Sequence, residues 1–376
     1  MFPQKSKPVE FKDVKDYIIN EIESYNLIFI NGVFSSFLSD TTHEECDVCV
    51  MSSALTRPKY KMIVDNYLNT AANKNNSFSE LNTAFVTEGA FINIPKNIVL
   101  SKPIQILNFS TGSDKEIMLQ PRNLVVVGEN SHVQIIERHQ NLSSNTTLTN
   151  SVTEIFTHKR AIVDYYKIQN DTENSSLIDN TFETQKKQSI ASVSTFSFGG
   201  KLIRNNLEFY HNGEHITSNL NGISLLKGKQ HVDNYTLVNH KHPNCESHEL
   251  YKGIYSENSS GVFNGKVIVQ SEAQKTNAFQ QSNNILIDDK ATINAKPQLE
   301  IFADDVKCSH GCTIGQLDEN ALFYMQSRGI PKKEAKALLL YAFANDVVEK
   351  IKIPHLRVRI SKLISKKLDV DLGFEV

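Results

Sequence analysis

Long apolar runs and an excess of charge of one sign are both missing from this sequence. No run reaches the roughly 18 consecutive apolar residues that a membrane-spanning helix requires. The chain carries 40 Lys and Arg against 42 Asp and Glu, a formal net charge of −2, so no global basic field attracts nucleic acid or an anionic membrane. Its 376 residues, 40% apolar and 22% charged, are typical of a soluble globular protein with a sizeable core.

Cysteine is scarce, and its pattern limits the chemistry of the chain. The odd number of cysteines and their wide spacing argue against a disulfide framework. The opening segment MFPQKSKPVEFKDV has no apolar stretch of the signal-peptide kind, so we expect a cytoplasmic protein, in which thiols stay reduced. Each thiol is then core filler, a metal ligand or a reactive group. The five cysteines are Cys46, Cys49, Cys245, Cys308 and Cys312.

Phosphate-binding and hydrolase motifs are also missing. Gly-Lys pairs occur, but none has the glycine five positions earlier that a P-loop requires. No G-x-S-x-G nucleophile elbow is present either. The chain is therefore not expected to hydrolyse ATP through the usual loop. The pairs are Gly200-Lys201, Gly228-Lys229 and Gly265-Lys266.

Residues 1–80 are predicted to form an N-terminal helical and hairpin domain. The segment VEFKDVKDYIINEIESY (9–25) has apolar residues near helical spacing, and Asn31-Gly32 between two apolar runs favours a type I′ hairpin turn. A second helix is predicted around PKYKMIVDNYLNTAA (58–72). The apolar residues of the first segment are Phe11, Val14, Tyr17, Ile18 and Ile22.

The sequence pattern of residues 81–315 predicts a mainly β domain. Short strand-like runs such as RNLVVVG, SHVQIIE and VFNGKVIVQ are separated by Asn, Gly, Ser and Asp. Turn residues after each short strand suit the coils of a parallel β-helix, in which Asn or Gly takes the left-handed corner. No strict repeat period is visible, and a β-sandwich is the alternative.

Residues 316–376 are predicted to form a C-terminal helical domain. Asp318 can cap a first helix that ends at Gly329, and Pro331 can begin a second. The second helix carries an apolar stripe that either packs into the core or docks a partner. A third helix is predicted over Pro354–Lys367. The stripe is Ala335, Leu338, Leu339, Ala342, Phe343 and Val347.

The segment DDVKCSHGCTIG (304–315) concentrates candidate ligands. If it is a strand, Cys308, His310 and Cys312 share one face at intervals of about 6.5 Å. They would supply only part of a tetrahedral site, which needs about four donors, so another coil or another chain would complete it. The alternative is small buried cysteines beside a hydrogen-bonded histidine.

Three further groups carry weaker signals. The spacing H-x-H-x₂-C-x₂-H in NHKHPNCESHE either binds Zn²⁺ or Fe²⁺ or belongs to a solvated loop. Cys46-x₂-Cys49, near His43, has a metal or redox spacing but no second pair. Asp304 and Asp305 are adjacent, so in a strand they face opposite ways and do not converge as hydrolase carboxylates. The ligands of the first group are His240, His242, Cys245, His248 and Glu249.

Longer stretches resemble the SufB/SufD family of iron–sulfur cluster assembly. They are LNTAFVTEGAFINIPKNIVLSKPIQIL (81–107), HPNCESHELYKGIYSENSSGVFNGKVIV (242–269) and IFADDVKCSHGCTIGQLDENALFYMQSRGI (301–330). The segment DDVKCSHG and the modest length resemble the SufD branch rather than the longer SufB. The resemblance implies a mainly β fold, with a right-handed parallel β-helix core flanked by N-terminal and C-terminal helical domains.

The same resemblance implies a non-catalytic scaffold subunit. It implies a complex with SufB and two copies of the ATPase SufC, in which SufD supports iron acquisition and cluster formation at its interface with SufB. By position, the family's metal-site strand corresponds to the segment with Cys308 and His310. His310 is the first candidate ligand that this implies and Cys308 the second, while Cys312 is either a further thiolate or a small filler. We expect no cofactor in the isolated chain and a transient iron or iron–sulfur cluster at the interface. The C-terminal helices are expected to dock SufC through Leu338, Leu339, Ala342 and Phe343.

Two other functions stay open from the sequence. A stand-alone homodimer that binds metal or transfers electrons would bind iron or zinc stoichiometrically without a partner. A β-helix enzyme acting on carbohydrate would need secretion and converging carboxylates, and the sequence indicates neither.

Overall fold

Most of the chain winds into a parallel β-solenoid, which confirms the predicted β-helix core. The computed structural model describes residues 9–40, 45–72, 76–112 and 116–374. From residue 122 onward, successive strands alternate between two facing sheets, so that two strands and their turns make one coil.

The strands of each sheet follow one another in coil order. The first sheet contains β1 (Tyr25–Ile30), β2 (Val33–Phe34), β5 (Ile104–Ser110), β8 (His132–Asn141), β10 (Ile162–Asn170), β12 (Ile190–Gly199), β14 (Thr217–Leu226), β16 (Glu246–Tyr255), β18 (Asn277–Leu286) and β20 (Lys307–Gly315). The second sheet contains β3 (Asp47–Val50), β4 (Ala90–Ile94), β6 (Ile117–Leu119), β7 (Arg122–Val127), β9 (Thr147–Thr157), β11 (Ser175–Gln185), β13 (Leu202–His211), β15 (His231–His240), β17 (Ser260–Val269) and β19 (Thr292–Ile301).

The coils differ in length, which explains why the sequence has no strict repeat period. In-register partners are 26 residues apart from Ser176 to Leu202 and 32 residues apart from Ser260 to Thr292. The strands stay in parallel register while the turns between them absorb the difference, as in other quasi-one-dimensional stacks.

Left-handed residues mark the corner where the chain passes from the second sheet to the first. Asn130 and Asn244 lie there, as predicted for Asn, but Arg160 and Lys275 take the same conformation with φ of 56° and 59°. A positive φ is strained for such side chains. Hydrogen bonds between coils offset the strain, since the Arg160 N–H donates to the Lys187 carbonyl oxygen at 3.1 Å.

Apolar side chains fill much of the lumen, the space enclosed between the two sheets. In β8 the side chains of Val133 and Ile135 join the lumen cluster, whereas Ile136 packs on the outer face. Both faces of the central strands are therefore buried, and this accounts for the almost continuous apolar runs in the sequence.

N-terminal helices cover the outer face of the second sheet. Helices α2 (Met51–Thr56) and α3 (Pro58–Tyr67) form a buried cluster with strands β4, β7 and β9. Helix α4 (Ser77–Phe85) is anchored by the buried Asn82, whose side chain donates to the backbone oxygens of Pro121 and Asn150 at 2.9 and 2.8 Å. The predicted helix around 58–72 is confirmed by α3, which ends at Tyr67.

C-terminal helices cover the outer face of the first sheet. Helices α6 (Lys332–Val348) and α7 (Pro354–Lys367) pack on the sheet, and α5 (Glu319–Ser327) contacts α6. The Asp318 cap, the left-handed Gly329 and the bounds of α7 agree with the sequence predictions. Across the part of the chain that the structure describes, no helix is both long and apolar enough to cross a membrane.

The predicted helix over 9–25 is wrong except for one turn. Only α1 (Phe11–Val14) is helical, and β1 begins at Tyr25. The buried Ile19 is held instead by the side chain of Gln105, which accepts from the Ile19 N–H at 3.0 Å. The Asn31-Gly32 hairpin is confirmed: both residues have positive φ, and β1 pairs with β2 antiparallel.

The predicted apolar stripe of α6 coincides with its core face only at Ala335 and Val347, which are buried. Leu338 and Ala342 are exposed, and Leu339 and Phe343 are half-buried. Helix α6 is apolar almost all round, so spacing alone did not identify the face that the sheet covers. The buried residues are Ala335, Ala337, Leu340, Ala344, Val347 and Val348.

Candidate functional site

Strand β20 ends the first sheet and leaves the solenoid open at its C-terminal end. It pairs in parallel with β18, and no strand of the described ranges pairs with its other edge. A Cβ added at Gly311 or Gly315 would meet no atom within 4 Å. The side chains of this last coil are therefore accessible to another molecule.

The candidate ligands of β20 share its lumen side. Cys308, His310 and Cys312 are in register with Ala278, Gln280 and Ser282. All three of these β18 residues are buried, so their side chains point into the lumen. Because in-register residues of parallel strands point the same way, the β20 ligands line the open end of the lumen on one face, as the strand alternation predicted.

The three ligands differ in exposure. Cys308 is half-buried beside a small apolar cluster, and burial raises the pKa of its thiol. His310 and Cys312 are exposed. Burial also raises the pKa of the Cys312 thiol, against the effect of a hydrogen bond with Ser282. Both thiols therefore keep their proton at neutral pH, and a metal that binds them must displace it.

Strand β20 supplies donors without completing a metal site. Within the ranges given above, no three His, Cys, Asp or Glu side chains are grouped so that they could hold a metal ion. Tetrahedral coordination takes about four donors. Chemically, β20 offers an imidazole and one or two thiols, which are fewer donors than a complete site requires.

The histidine-rich segment disperses its ligands. His240 and Glu249 are buried, and burial lowers the pKa of His240 to about 3. Cys245 is buried in the turn between them. His242 and His248 are exposed on the outside. Some of these side chains point into the protein and others into solvent. The segment is therefore neither a shared metal site nor a fully solvated loop.

Cys46 and Cys49 point to opposite faces of the sheet. Cys46 belongs to the lumen cluster, whereas Cys49 packs among the residues under the N-terminal helices. Burial raises the pKa of the two thiols to about 12 and about 11. They do not form a chelating pair, and the nearby His43 lies outside the described residues.

Sequence reasoning named Glu249 only as part of the histidine-rich segment and missed its pairing with Gln280 inside the lumen. Gln280 lies behind His310 and donates from Nε2 to Glu249 Oε2 at 2.6 Å. Burial raises the pKa of Glu249 to about 7. Finding this pair requires the register between coils, because Glu249 and Gln280 are 31 positions apart in the sequence.

The outer side of the C-terminal helices offers a second surface. Helix α5 has no buried residue among those described and exposes Phe323 and Tyr324. On α6, Leu338 is 37% exposed, whereas the ring of Phe343 lies 4.4 Å from Nζ of Lys252 in β16. Of the predicted docking residues, Leu338 and Ala342 are thus free to meet a partner, and Phe343 is partly engaged within the chain.

Comparisons with known proteins agree with this architecture. Residues 109–343 match the domain described as SUF system FeS cluster assembly, SufBD core domain, and residues 3–106 match the SufBD protein N-terminal region. An iron–sulfur cluster assembly SufBD family protein of Synechocystis is 35% identical over 93% of this chain and 79% of its own length. The iron–sulfur cluster assembly protein SufD of Escherichia coli is 26% identical, over 94% and 82%, and a chloroplastic protein of Arabidopsis thaliana is 30% identical, over 88% and 71%. Because the core-domain match alone spans more than half of the sequence, this chain belongs to the SufBD family of SUF-system iron–sulfur cluster assembly proteins.

Proposed function

We propose that this chain is the SufD-like scaffold subunit of a cytoplasmic iron–sulfur cluster assembly complex with a SufB-like protein and a SufC-like ATPase. It has no catalytic role of its own. Iron or a nascent cluster is the cargo, bound by His310 with Cys308 as second ligand. The observation that carries this proposal is the open last coil, where these ligands face a lumen that nothing in the described chain covers.

The surroundings of the open coil support a protein partner at this end. Exposed apolar side chains lie on its last strands and in the turn after β19, where a partner that covers the open coil can bury them. The free edge of β20 has unpaired backbone groups that another chain can pair with. The apolar residues are Phe279, Ile301, Phe302 and Ile314, which are between 39% and 63% exposed.

An incomplete ligand set suits a scaffold that must release its cargo. A closed site of four thiolates would hold a cluster tightly. Here, β20 offers at most three donors, and no group of His, Cys, Asp or Glu among the described residues completes a site, so coordination by this chain alone is weaker. Binding therefore depends on ligands from the SufB-like partner, and separation of the two chains lowers the affinity for the cluster.

His310 is tested in the assembled complex. After co-expression of the three proteins, His310→Ala is expected to lower iron and acid-labile sulfide per complex at least about ten-fold, with unchanged subunit stoichiometry. His242→Ala removes another exposed histidine, in the turn between β15 and β16 two coils before β20, and serves as the matched control. Normal iron content in His310→Ala would rule out the assigned ligand, and stoichiometric iron in the isolated wild-type chain would instead favour the stand-alone homodimer.

We further propose that the SufC-like ATPase docks on α6. Nucleotide-driven dimerisation of the ATPase would then shift the C-terminal helices and the contact between the two scaffold chains. Nucleotide binding supplies the free energy for this shift between two packing arrangements. Leu338→Asp with Leu339→Asp is expected to abolish co-purification of the ATPase. Met62→Asp on α3, where Met62 is 66% exposed, is the matched control. Retention of the ATPase by a folded double variant would exclude this face.

A further inference from the structure

A column of three polar side chains leads from the open coil into the lumen. Glu249 of β16 is in register with Gln280 of β18, and Gln280 is in register with His310 of β20. Glu249 and Gln280 are 4% and 1% exposed. His310 is thus the outermost member of a column whose inner members are buried.

The amide of Gln280 is fixed from the inner side. Its Nε2 donates to Glu249 Oε2 at 2.6 Å, which orients the side chain. Gly265 of β17 leaves the space that the amide occupies, because a Cβ there would lie 2.4 Å from Gln280 Nε2 and 2.8 Å from Cδ. The glycine and the carboxylate together hold the amide in one position.

The other end of this amide lacks a partner. Gln280 Oε1 is buried and accepts no hydrogen bond in the described structure. A buried polar atom without a partner loses its hydration without replacement, and such atoms are rare enough to require an explanation. The next residue in the column is His310, whose ring nitrogens can donate, and it is exposed while the coil is uncovered.

We propose that Gln280 is a positioning residue for His310. When a partner chain covers the last coil, Gln280 Oε1 accepts a hydrogen bond from one ring N–H of His310. The other ring nitrogen then carries the lone pair and points toward the partner, where it binds iron. Histidine ligands of metals commonly donate their second N–H to a carbonyl or carboxylate, which fixes the tautomer and the ring orientation. This inference rests on the proposed function, since it assumes that His310 is a ligand.

Substitution of Gln280 in the assembled complex tests the inference. Gln280→Met keeps the length of the side chain and removes the oxygen, and Gln281→Met makes the same change one residue later on the exposed outer face. The complexes are reconstituted anaerobically with ferrous iron and sulfide. We expect the cluster yield to fall about ten-fold in Gln280→Met and to stay unchanged in Gln281→Met.

A swapped pair separates positioning from loss of packing. In the double variant Glu249→Gln with Gln280→Glu, the column keeps its volume, its internal hydrogen bond and an oxygen that faces His310. We expect it to recover most of the cluster yield that Gln280→Met loses. A yield as low as that of Gln280→Met would overturn the inference.

Pulsed EPR of the reduced cluster supplies the readout that a merely structural role would not change. A coordinated imidazole reveals its remote nitrogen, whose quadrupole coupling depends on the hydrogen bond of that N–H. We expect this coupling to change in Gln280→Met and not in Gln281→Met. An unchanged coupling in Gln280→Met would overturn the positioning role and leave the proposed function intact. If the wild type shows no nitrogen coupling that is lost in His310→Ala, His310 does not bind the cluster. That result would overturn the proposed function itself.

Discussion

Lys167 lies in the lumen between two carboxylates. Its Nζ is 2.7 Å from Asp179 Oδ1 and 3.1 Å from Glu137 Oε2, and all three side chains are almost completely buried. Lys167 and His139 hold the pKa of Glu137 well below its usual range despite burial. Because each charge is compensated, the solenoid accommodates ionised groups where aliphatic residues would otherwise pack.

Removal of the cation is expected to destabilise the fold strongly. In Lys167→Met two carboxylates are left buried beside each other, and breaking a buried ion pair costs about 3–5 kcal/mol. Chemical denaturation of the isolated chain measures the loss. Lys187→Met, which breaks the exposed pair with Glu214, is the control and should leave the midpoint unchanged. Equal midpoints for the two variants would contradict the role assigned to Lys167.

Glu183 is a buried carboxyl without a cation. Thr157 Oγ1 donates to its Oε1 at 2.7 Å, whereas Oε2 has no partner. Burial raises the pKa of Glu183 to about 8 from an ordinary value of 4.5. Between these values the folded state binds more protons than the unfolded state, so this group lowers the free energy of unfolding as the pH rises from about 4.5 to about 8.

Glu183→Gln should remove this pH dependence. The variant is expected to gain stability over the wild type mainly at high pH, and the gain should increase by on the order of 4 kcal/mol between about pH 4.5 and about pH 9. Urea denaturation at the two pH values measures it. The same gain at both would mean that Glu183 does not titrate in the folded chain. Sequence alone did not predict these lumen charges, because their partners are on neighbouring coils.

At the scale of elements, short sequence motifs predicted those turns and helix ends that are stabilised by residues next to them in the sequence. The Asn31-Gly32 turn was predicted because both residues accept positive φ, and Asp318 because its side chain caps the adjacent helix. The prediction of a helix over 9–25 was wrong because the backbone N–H of Ile19 is hydrogen-bonded to the side chain of Gln105, 86 positions away. Periodicity gives no information about such a contact.

Helix α6 allows a direct test of which apolar face is buried. Leu340 is 2% exposed and packs in the cluster between α6, α7 and the first sheet, whereas Leu338 is 37% exposed. Leu340→Ala is expected to cost about 2–5 kcal/mol of the free energy of unfolding, and Leu338→Ala less than about 0.5 kcal/mol. Thermal or urea unfolding distinguishes them. A larger loss for Leu338→Ala would mean that Leu338 belongs to the core face, as the apolar spacing predicts.

At the scale of the whole molecule, the solenoid was predictable and its register was not. Short apolar runs separated by turn residues indicated stacked coils, and family resemblance indicated the same fold. Coil lengths from 26 to 33 residues hide the repeat, so no sequence pattern aligned Gln280 with His310. The strand that carries the candidate ligands was predictable, because Cys308, His310 and Cys312 alternate within a single strand.

Because the solenoid is open at one end, its backbone amides differ in their protection from hydrogen exchange. Central strands are paired on both edges and buried on both faces, whereas β20 is paired on one edge and almost every residue of it is exposed. In hydrogen exchange we expect the amides of β20 to exchange faster than those of β12 in the isolated chain, since protection follows burial and pairing. Addition of the SufB-like protein should slow exchange in β20 and in the turn around Phe302. A slowing confined to the outer face of the second sheet would show that the partner binds elsewhere and that the open coil is not the interface.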